Sequence, residues 1–260
     1  MRILLIGDIV GEPGRKAVFR HVDRLRDEHG LDLVIGNGEN AAGGFGLTHS
    51  VVKDLFANGI DVLTTGNHAW DKPEGIDLIR SDKRVLRPAN YPDGAPGVGS
   101  GVFTTRSGER VGVVQVMGRV FMHAIDCPFR AASREVARLK RETPVVIVDV
   151  HAEATSEKMA MGWHLDGAAS AVVGTHTHVQ TADERVLPGG TGYLTDLGMT
   201  GPMDGVIGMK KELVLARFLT ALPKRFVVAS GPAVFSGAIA DVDADSGRCR
   251  SIQRIQLRDE

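Results

Sequence analysis

Two histidines separated by one threonine, His176 and His178 in the stretch AVVGTHTHVQT, follow an apolar run closed by Gly174. In an extended chain residues i and i+2 project to the same side, so both imidazoles would leave the end of a strand together. Alone, the pair fits a polar loop better than it fits a pair of metal ligands. The case for ligands comes from the ends of the other apolar runs. Asp8 follows RILLIG, Glu39 and Asn40 follow LDLVIGNG, Asn67 and His68 follow IDVLTTG, and His151 follows PVVIVDV. One Asp after a strand is routine, because Asp caps helices and initiates turns. Five strand ends in succession that bear a carboxylate, a carboxamide or an imidazole, with four of the nine histidines among them, favour a metal site.

Carboxylates, amides and imidazoles together suit Mn, Fe or Zn better than Ca or Mg, which prefer shells of oxygen alone. The set also exceeds the needs of one tetrahedral ion. Two ions that share a bridging carboxylate would use it, and such pairs typify phosphate-ester hydrolases.

For these residues to meet, the runs that carry them must be strands whose carboxyl ends share one edge, where open α/β sheets bind ligands. The pattern supports this. RILLIG, LDLVIGN and IDVLTTGN read as strands, separated by helical spacing over residues 15–30, by THSVVKDLFANG with a cap at Thr48 or Ser50, and by DKPEGIDLIRS with Pro73 in its first turn. A βαβαβα start predicts parallel strands with crossover helices. Further on, GVFTTRSGERVGVVQVMG predicts a hairpin turning near Ser107 and Gly108. An amphipathic helix (FRAASREVARLKRE), the strand PVVIVDV, a helical ATSEKMAMGWHLDG, the strand SAVVGT and a strand-rich tail with a turn at 245–247 complete the chain. No linker or repeat divides residues 1–260, so a single domain is expected, with one mixed sheet or two packed sheets and helices outside.

Composition narrows the partners. Of 260 residues 43% are hydrophobic and 24% charged, with a net charge of −1, the profile of an ordinary globular protein. Near-neutral charge gives no argument for a nucleic-acid or membrane surface, so an anionic ligand must be met by a local site. Cys127 and Cys249 lie far apart and in no metal-binding spacing, which suits a reducing compartment. The N-terminal apolar run is too short for a signal-peptide core and no stretch reaches the length of a membrane span. The expected location is cytoplasmic.

The blocks GDIVG, GNGENAAGGFG, GNHAWDK, RPANYP, HAEATSEK, GTHTHVQTADERVLP and LGMTGPMDGVIG together closely resemble the YmdB-type branch of the calcineurin-like metallophosphoesterases. The resemblance covers essentially the whole chain. It implies a calcineurin-like four-layer α/β/β/α sandwich with two mixed sheets. It also implies a dinuclear phosphodiesterase acting on 2′,3′-cyclic nucleotides by way of a metal-bridging hydroxide, so the partner is a small phosphodiester, products derived from RNA included. By position, Asp8, Asn40 and His178 would hold one transition-metal ion and Asn67, His151 and His176 a second. Glu39 would bridge the two and His68 would be the proton donor. Fe or Mn is favoured, with Zn also compatible, and a homo-oligomer stays open. Two departures from the wider superfamily stand out: Asp8-Ile9-Val10 replaces Asp-X-His after the first strand, and the bridging acid is Glu39 rather than Asp.

Two other readings compete. GNGENA at 36–41 fits a dinucleotide fingerprint, but it follows the second strand, and the acid expected about 20 residues later, Asp61, opens a strand instead of closing one. A regulatory protein that keeps metals without turnover would show the same ligands. Elsewhere the expectations are plain. His21 and His29 lie on the polar side of the first helix, Lys158 on a helix surface or in a salt bridge, and His164 in a turn, while Asp196 has no role in the ligand set and Trp70 and Trp163 are undecided between core and ligand contact.

Overall fold

Period-two alternation along the apolar runs decides how the layers stack. In the computed structural model, which describes residues 1–259, Ile3 and Leu5 of the first strand face one apolar cluster and Leu4 and Ile6 face another. Strands buried on both faces need cover on both.

The chain opens with β1 (Arg2–Ile6), β2 (Asp8–Ile9), α1 (Gly11–His29), β3 (Leu33–Asn37), α2 (His49–Ala57), β4 (Val62–Thr64), α3 (Pro73–Ser81) and β5 (Val85–Leu86). The middle carries β6 (Ser100–Thr104), β7 (Arg110–Met117), α4 (Pro128–Leu139), β8 (Val146–His151), α5 (Thr155–His164) and β9 (Ala171–Thr175). The last part adds β10 (Arg185–Val186), β11 (Gly192–Leu194), β12 (Met199–Pro202), α6 (Lys211–Thr220), β13 (Ala233–Val242) and β14 (Cys249–Arg258).

One sheet runs β2-β12-β13-β1-β3-β4-β5, with β14 also paired to β13; the other runs β10-β11-β9-β8-β7-β6. Both are mixed. β1, β3, β4 and β5 are parallel while β13 is antiparallel to β1. β7, β8, β9 and β11 are parallel, flanked by antiparallel β6 and β10. Ile3, Leu5 and Ile35 meet Val113, Ile147 and Val173 between the sheets. On the outer side of the first sheet, Leu4 and Ile6 pack under Val18 and Val22 of α1 and Leu55 of α2. On the outer side of the second, Val114 and Val148 pack under Val136 of α4 and Met161 of α5. The result is the expected four-layer α/β/β/α sandwich.

Local expectations hold with small changes. Thr48 caps α2 by accepting from the Val51 N–H at 3.4 Å, Pro73 begins α3, and Gly30 closes α1 in the left-handed region at φ 59°. Helix α1 begins at Gly11, four residues before the stretch that helical spacing predicts. Helix α6 has no counterpart in the sequence reading; only Val214 is buried along it, while Leu215, Phe218 and Leu219 are exposed. His21 is buried instead of solvated, its Nε2 2.9 Å from Asp259 and its ring edge-on to Phe235. Among the described residues no helix is long and apolar enough to cross a membrane.

Candidate metal centre

The parallel strands of both sheets end on the same side, and all eight residues singled out above lie there. Asp8 starts β2, where its N–H donates to the Gly198 carbonyl at 3.0 Å. Glu39 and Asn40 form the turn after β3, Asn67 and His68 the turn after β4, His151 ends β8, and His176 and His178 follow β9. The register places His151 opposite both Met117 of β7 and Thr175 of β9, so the ladder itself fixes where this imidazole sits.

Three atoms converge on His151 Nε2: Asn67 Oδ1 at 2.9 Å, Glu39 Oε1 at 3.1 Å and His176 Nδ1 at 3.1 Å. One N–H cannot serve three lone-pair-bearing partners. Glu39, His151 and His176 are close enough for all to reach one cation. Gly66 permits the approach, since a Cβ there would collide with Glu39 Oε2 and His151 Nε2. On the other side, Asp8 Oδ1 lies 3.7 Å from His178 Nε2, and Asn40 Nδ2 lies 3.4 Å from that nitrogen and 3.1 Å from Glu39 Oε1. Asp8 is buried, with Oδ2 accepting from the His176 N–H at 3.0 Å and Oδ1 without a hydrogen-bond partner. A buried carboxylate oxygen without a donor is costly unless a cation faces it.

Each of the three imidazoles is held by its outward nitrogen. The Thr175 hydroxyl donates to Asp149 Oδ1 at 2.8 Å, so toward His151 Nδ1, 2.9 Å away, it accepts. His178 Nδ1 donates to the Ile207 carbonyl at 3.0 Å, and His176 Nε2 stands 3.1 Å from Glu153. In its neutral form each ring then presents an inward lone pair, on His151 Nε2, His178 Nε2 and His176 Nδ1, and for His151 a cation would take the place of the proton that Glu39 and Asp8 otherwise hold there. Outer hydrogen bonds of this kind orient metal-ligating histidines.

The electrostatics point the same way. Burial would raise Glu39, but His151 outweighs it and holds the carboxyl down to about 2. His151, which burial would lower, is carried up to about 9 by Glu39 and then by Asp8. Burial and then the nearby His151 push His176 down to about 3, and burial raises Asp8. The two buried carboxylates demand positive charge at this spot, and divalent cations meet that demand. The residues present fit such ions.

His68 stands apart from the convergent set. Its N–H donates to Glu39 Oε2 at 3.1 Å, its Nδ1 is 2.7 Å from Asp71 Oδ2, and its ring packs edge-on against Phe45. It lines a cavity of about 470 Å³ together with Glu39, Asn40, His176 and His178. A second cavity of about 340 Å³, bounded by Asn67, Phe121, Met122, His123 and His176, opens beside it.

Sequence reasoning missed several supporting residues. Asp71, Asp149, Glu153 and Thr175 orient the histidines, and only spatial pairing reveals them. Of the two expectations for Lys158 the salt bridge holds and the surface position does not: it is buried, with Nζ 2.7 Å from the buried Asp196 and 3.1 Å from the Thr177 hydroxyl. Asp196 also accepts from the Thr177 hydroxyl and from the Thr177 N–H at 3.3 Å. This ion pair therefore clamps the residue between the two histidines. His164 lies outside the centre, 2.8 Å from Ser133. Trp163 is exposed and Trp70 packs edge-on to Tyr91.

A family model described as YmdB-like protein matches residues 4–255. A 2′,3′-cyclic-nucleotide 2′-phosphodiesterase of Bacillus subtilis (strain 168) is 48% identical over 260 residues, spanning 100% of this chain and 98% of the relative. The crystal structure of a hypothetical protein from Thermus thermophilus superposes with a TM-score of 0.94 at 47% identity, covering 100% of both chains. A novel phosphatase from Mycoplasma pneumoniae superposes with a TM-score of 0.93 at 30% identity, over 99% of this chain and 93% of that one.

Proposed function

The chain belongs to the YmdB-like family, and on that premise we propose that it is a dinuclear metal-dependent phosphodiesterase that hydrolyses 2′,3′-cyclic nucleotides. The observation that carries the reading is the arrangement of the three imidazoles: each outward nitrogen is engaged, the inward nitrogens of His151 and His178 face Glu39 and Asp8, and that of His176 faces His151 Nε2 beside Glu39. Asp8, Asn40 and His178 would hold one ion, Asn67, His151 and His176 the other, and Glu39 would span both. Fe or Mn suits this mixture of nitrogen and oxygen donors, and Zn is compatible with it. Divalent cations here supply Lewis acidity toward the phosphoryl oxygens and lower the pKa of water. The whole of 1–260 acts as one domain, and the reaction belongs to the cytoplasm.

His68 handles the proton. In-line attack of water on phosphorus breaks the P–O2′ bond, and the departing ribose oxygen needs a proton to leave. With Nδ1 engaged by Asp71, His68 presents Nε2 for that transfer. The Asp71 carboxylate fixes the ring orientation.

A metal-retaining protein without turnover is the second reading, since it would use the same ligands. Reconstitution with Mn(II) or Fe(II) separates the two. Elemental analysis is expected to approach two ions per chain, and the loaded protein is expected to convert adenosine 2′,3′-cyclic phosphate to the 3′-monophosphate. Metal content near zero with ions offered would remove the centre altogether. Two bound ions without turnover would leave the regulatory reading in place.

A further inference from the structure

The cavity of about 470 Å³ at the centre has a basic wall. Beyond His68 and His178 it is lined by Arg217 of α6 and by Lys224, Arg225 and Phe226 of the segment that returns toward β13. No carboxylate other than Glu39 lines it, and among the described residues none of these three cations forms an ion pair. Arg217 is not loose: its guanidinium lies 5.2 Å from the centre of the Phe226 ring, a cation–π contact. The chain as a whole has a net charge of −1, so three unpaired cations around one cavity are a local feature.

A 2′,3′-cyclic mononucleotide does not account for them. Its single negative charge sits on the cyclic phosphate, which the proposed centre already holds. The nucleobase has a better place on the other side, where Phe121 and Met122 border the cavity that shares His176. A nucleoside projects its base from C1′ and its 5′ substituent from C4′, on opposite flanks of the C2′–C3′ edge that carries the cyclic phosphate. With that edge at the metals and the base toward Phe121, the 5′ substituent points to the basic wall.

Resting on the phosphodiesterase reading above, we propose that Arg217, Lys224 and Arg225 form a subsite for a second phosphate, carried on the 5′ oxygen of the nucleotide whose cyclic phosphate is hydrolysed. Two sources share this chemistry: a cyclic mononucleotide with a 5′-phosphate, and an oligoribonucleotide that ends in a 2′,3′-cyclic phosphate. Charge-assisted contacts to that phosphate should be worth about ten- to a hundred-fold in kcat/KM.

The experiment compares three adenosine substrates with the metal-loaded protein: the cyclic phosphate with a free 5′-hydroxyl, the same compound with a 5′-phosphate, and the dinucleotide ApA with a 2′,3′-cyclic end. A preference of about tenfold or more for either phosphate-bearing substrate over the 5′-hydroxyl compound is expected. Which of the two gains identifies the source. In the triple variant Arg217→Ala/Lys224→Ala/Arg225→Ala the preference should collapse to about twofold or less, with metal content and thermal unfolding unchanged. Arg217→Lys/Arg225→Lys, which keeps the charges, should restore most of it. Equal kcat/KM for all three substrates in the wild type, or a preference that survives in the triple variant, overturns the subsite and leaves the phosphodiesterase reading intact. Absence of turnover on every substrate overturns that reading instead. The subsite is then judged by calorimetric Kd for the 5′-phosphate and 5′-hydroxyl compounds, where equal affinity overturns it.

Discussion

Around His151 three partner atoms stand within 3.1 Å of one nitrogen, whereas around Asp8 the facing nitrogen of His178 is 3.7 Å away and the Asn40 amide is 3.4 Å from that same nitrogen. The two halves differ in what holds them. His151 is the last residue of a strand laddered on both sides, Thr175 is its register partner, and the Asp149 carboxylate behind Thr175 is buried. The Asp8 half rests on a strand of only two residues, a turn and a loop. The loop that brings His176 to the one half and His178 to the other is strained: these residues have φ values of 95° and 63°, in a region that favours glycine. The buried Lys158–Asp196 pair grips Thr177 between them and keeps that backbone in place. Donors carried on regular elements are therefore set by the sheet, while donors carried on loops must be set by side chains.

Glu39 touches both halves, so its loss should cost the most. Glu39→Gln keeps the shape but replaces an anion by a neutral amide whose nitrogen is a poor ligand. Metal-ion catalysis stabilises transition-state charge by several kcal/mol, so activity on cyclic nucleotides is expected to fall on the order of 10³-fold or more. Metal content should drop with it. A Glu39→Gln protein that kept two ions and a near-normal rate would show that the halves are not joined through this residue.

His68 lies outside both halves, and a smaller and more selective loss is expected. General-acid catalysis contributes about 10²- to 10⁴-fold, and only where the leaving group needs a proton. A ribose alkoxide needs one; a nitrophenolate scarcely does. His68→Ala should keep its metals, lose about 10²-fold on adenosine 2′,3′-cyclic phosphate, and lose far less on bis-nitrophenyl phosphate. An equal loss on both substrates with metals retained would move His68 from proton donor to a positioning role, and loss of metal would make it part of the centre.

The difference between the halves also explains what could be read in the sequence. An apolar run with a histidine at its end locates His151 directly, because a strand delivers its last side chain to a predictable edge. The order of strands and helices was legible for the same reason, but the apolar runs left one mixed sheet or two packed sheets open, and the four layers followed only from the family resemblance. Asp149 and Thr175 act as a pair only once β8 and β9 are in register, and nothing local signals that register. The salt bridge expected for Lys158 is present, but its burial was not legible because α5 turns charged residues inward: Glu157 and Lys158 are both buried, with partners across the fold.

The smallest effect is expected at Asn40, in the half where the superfamily's usual histidine is missing. In the structure its Nδ2 faces Glu39 Oε1 and His178 Nε2. A cation between Asp8 and His178 would favour the opposite orientation of the amide, with Oδ1 inward, which a turn of about 180° at χ2 provides. As a neutral oxygen donor it would contribute less than a carboxylate or an imidazole. Asn40→Ala should therefore weaken one ion by about 10- to 100-fold, the scale seen for residues that support a metal ligand, and leave the other in place. At limiting Mn(II) the stoichiometry should fall from two ions toward one, and the lost rate should return as Mn(II) is raised. Asn40→Asp should shift the same titration the other way, because a charged oxygen binds the ion more tightly. Titrations of both variants that overlay the wild type would take Asn40 out of the centre and leave Asp8, His178 and Glu39 as the whole of the weaker half.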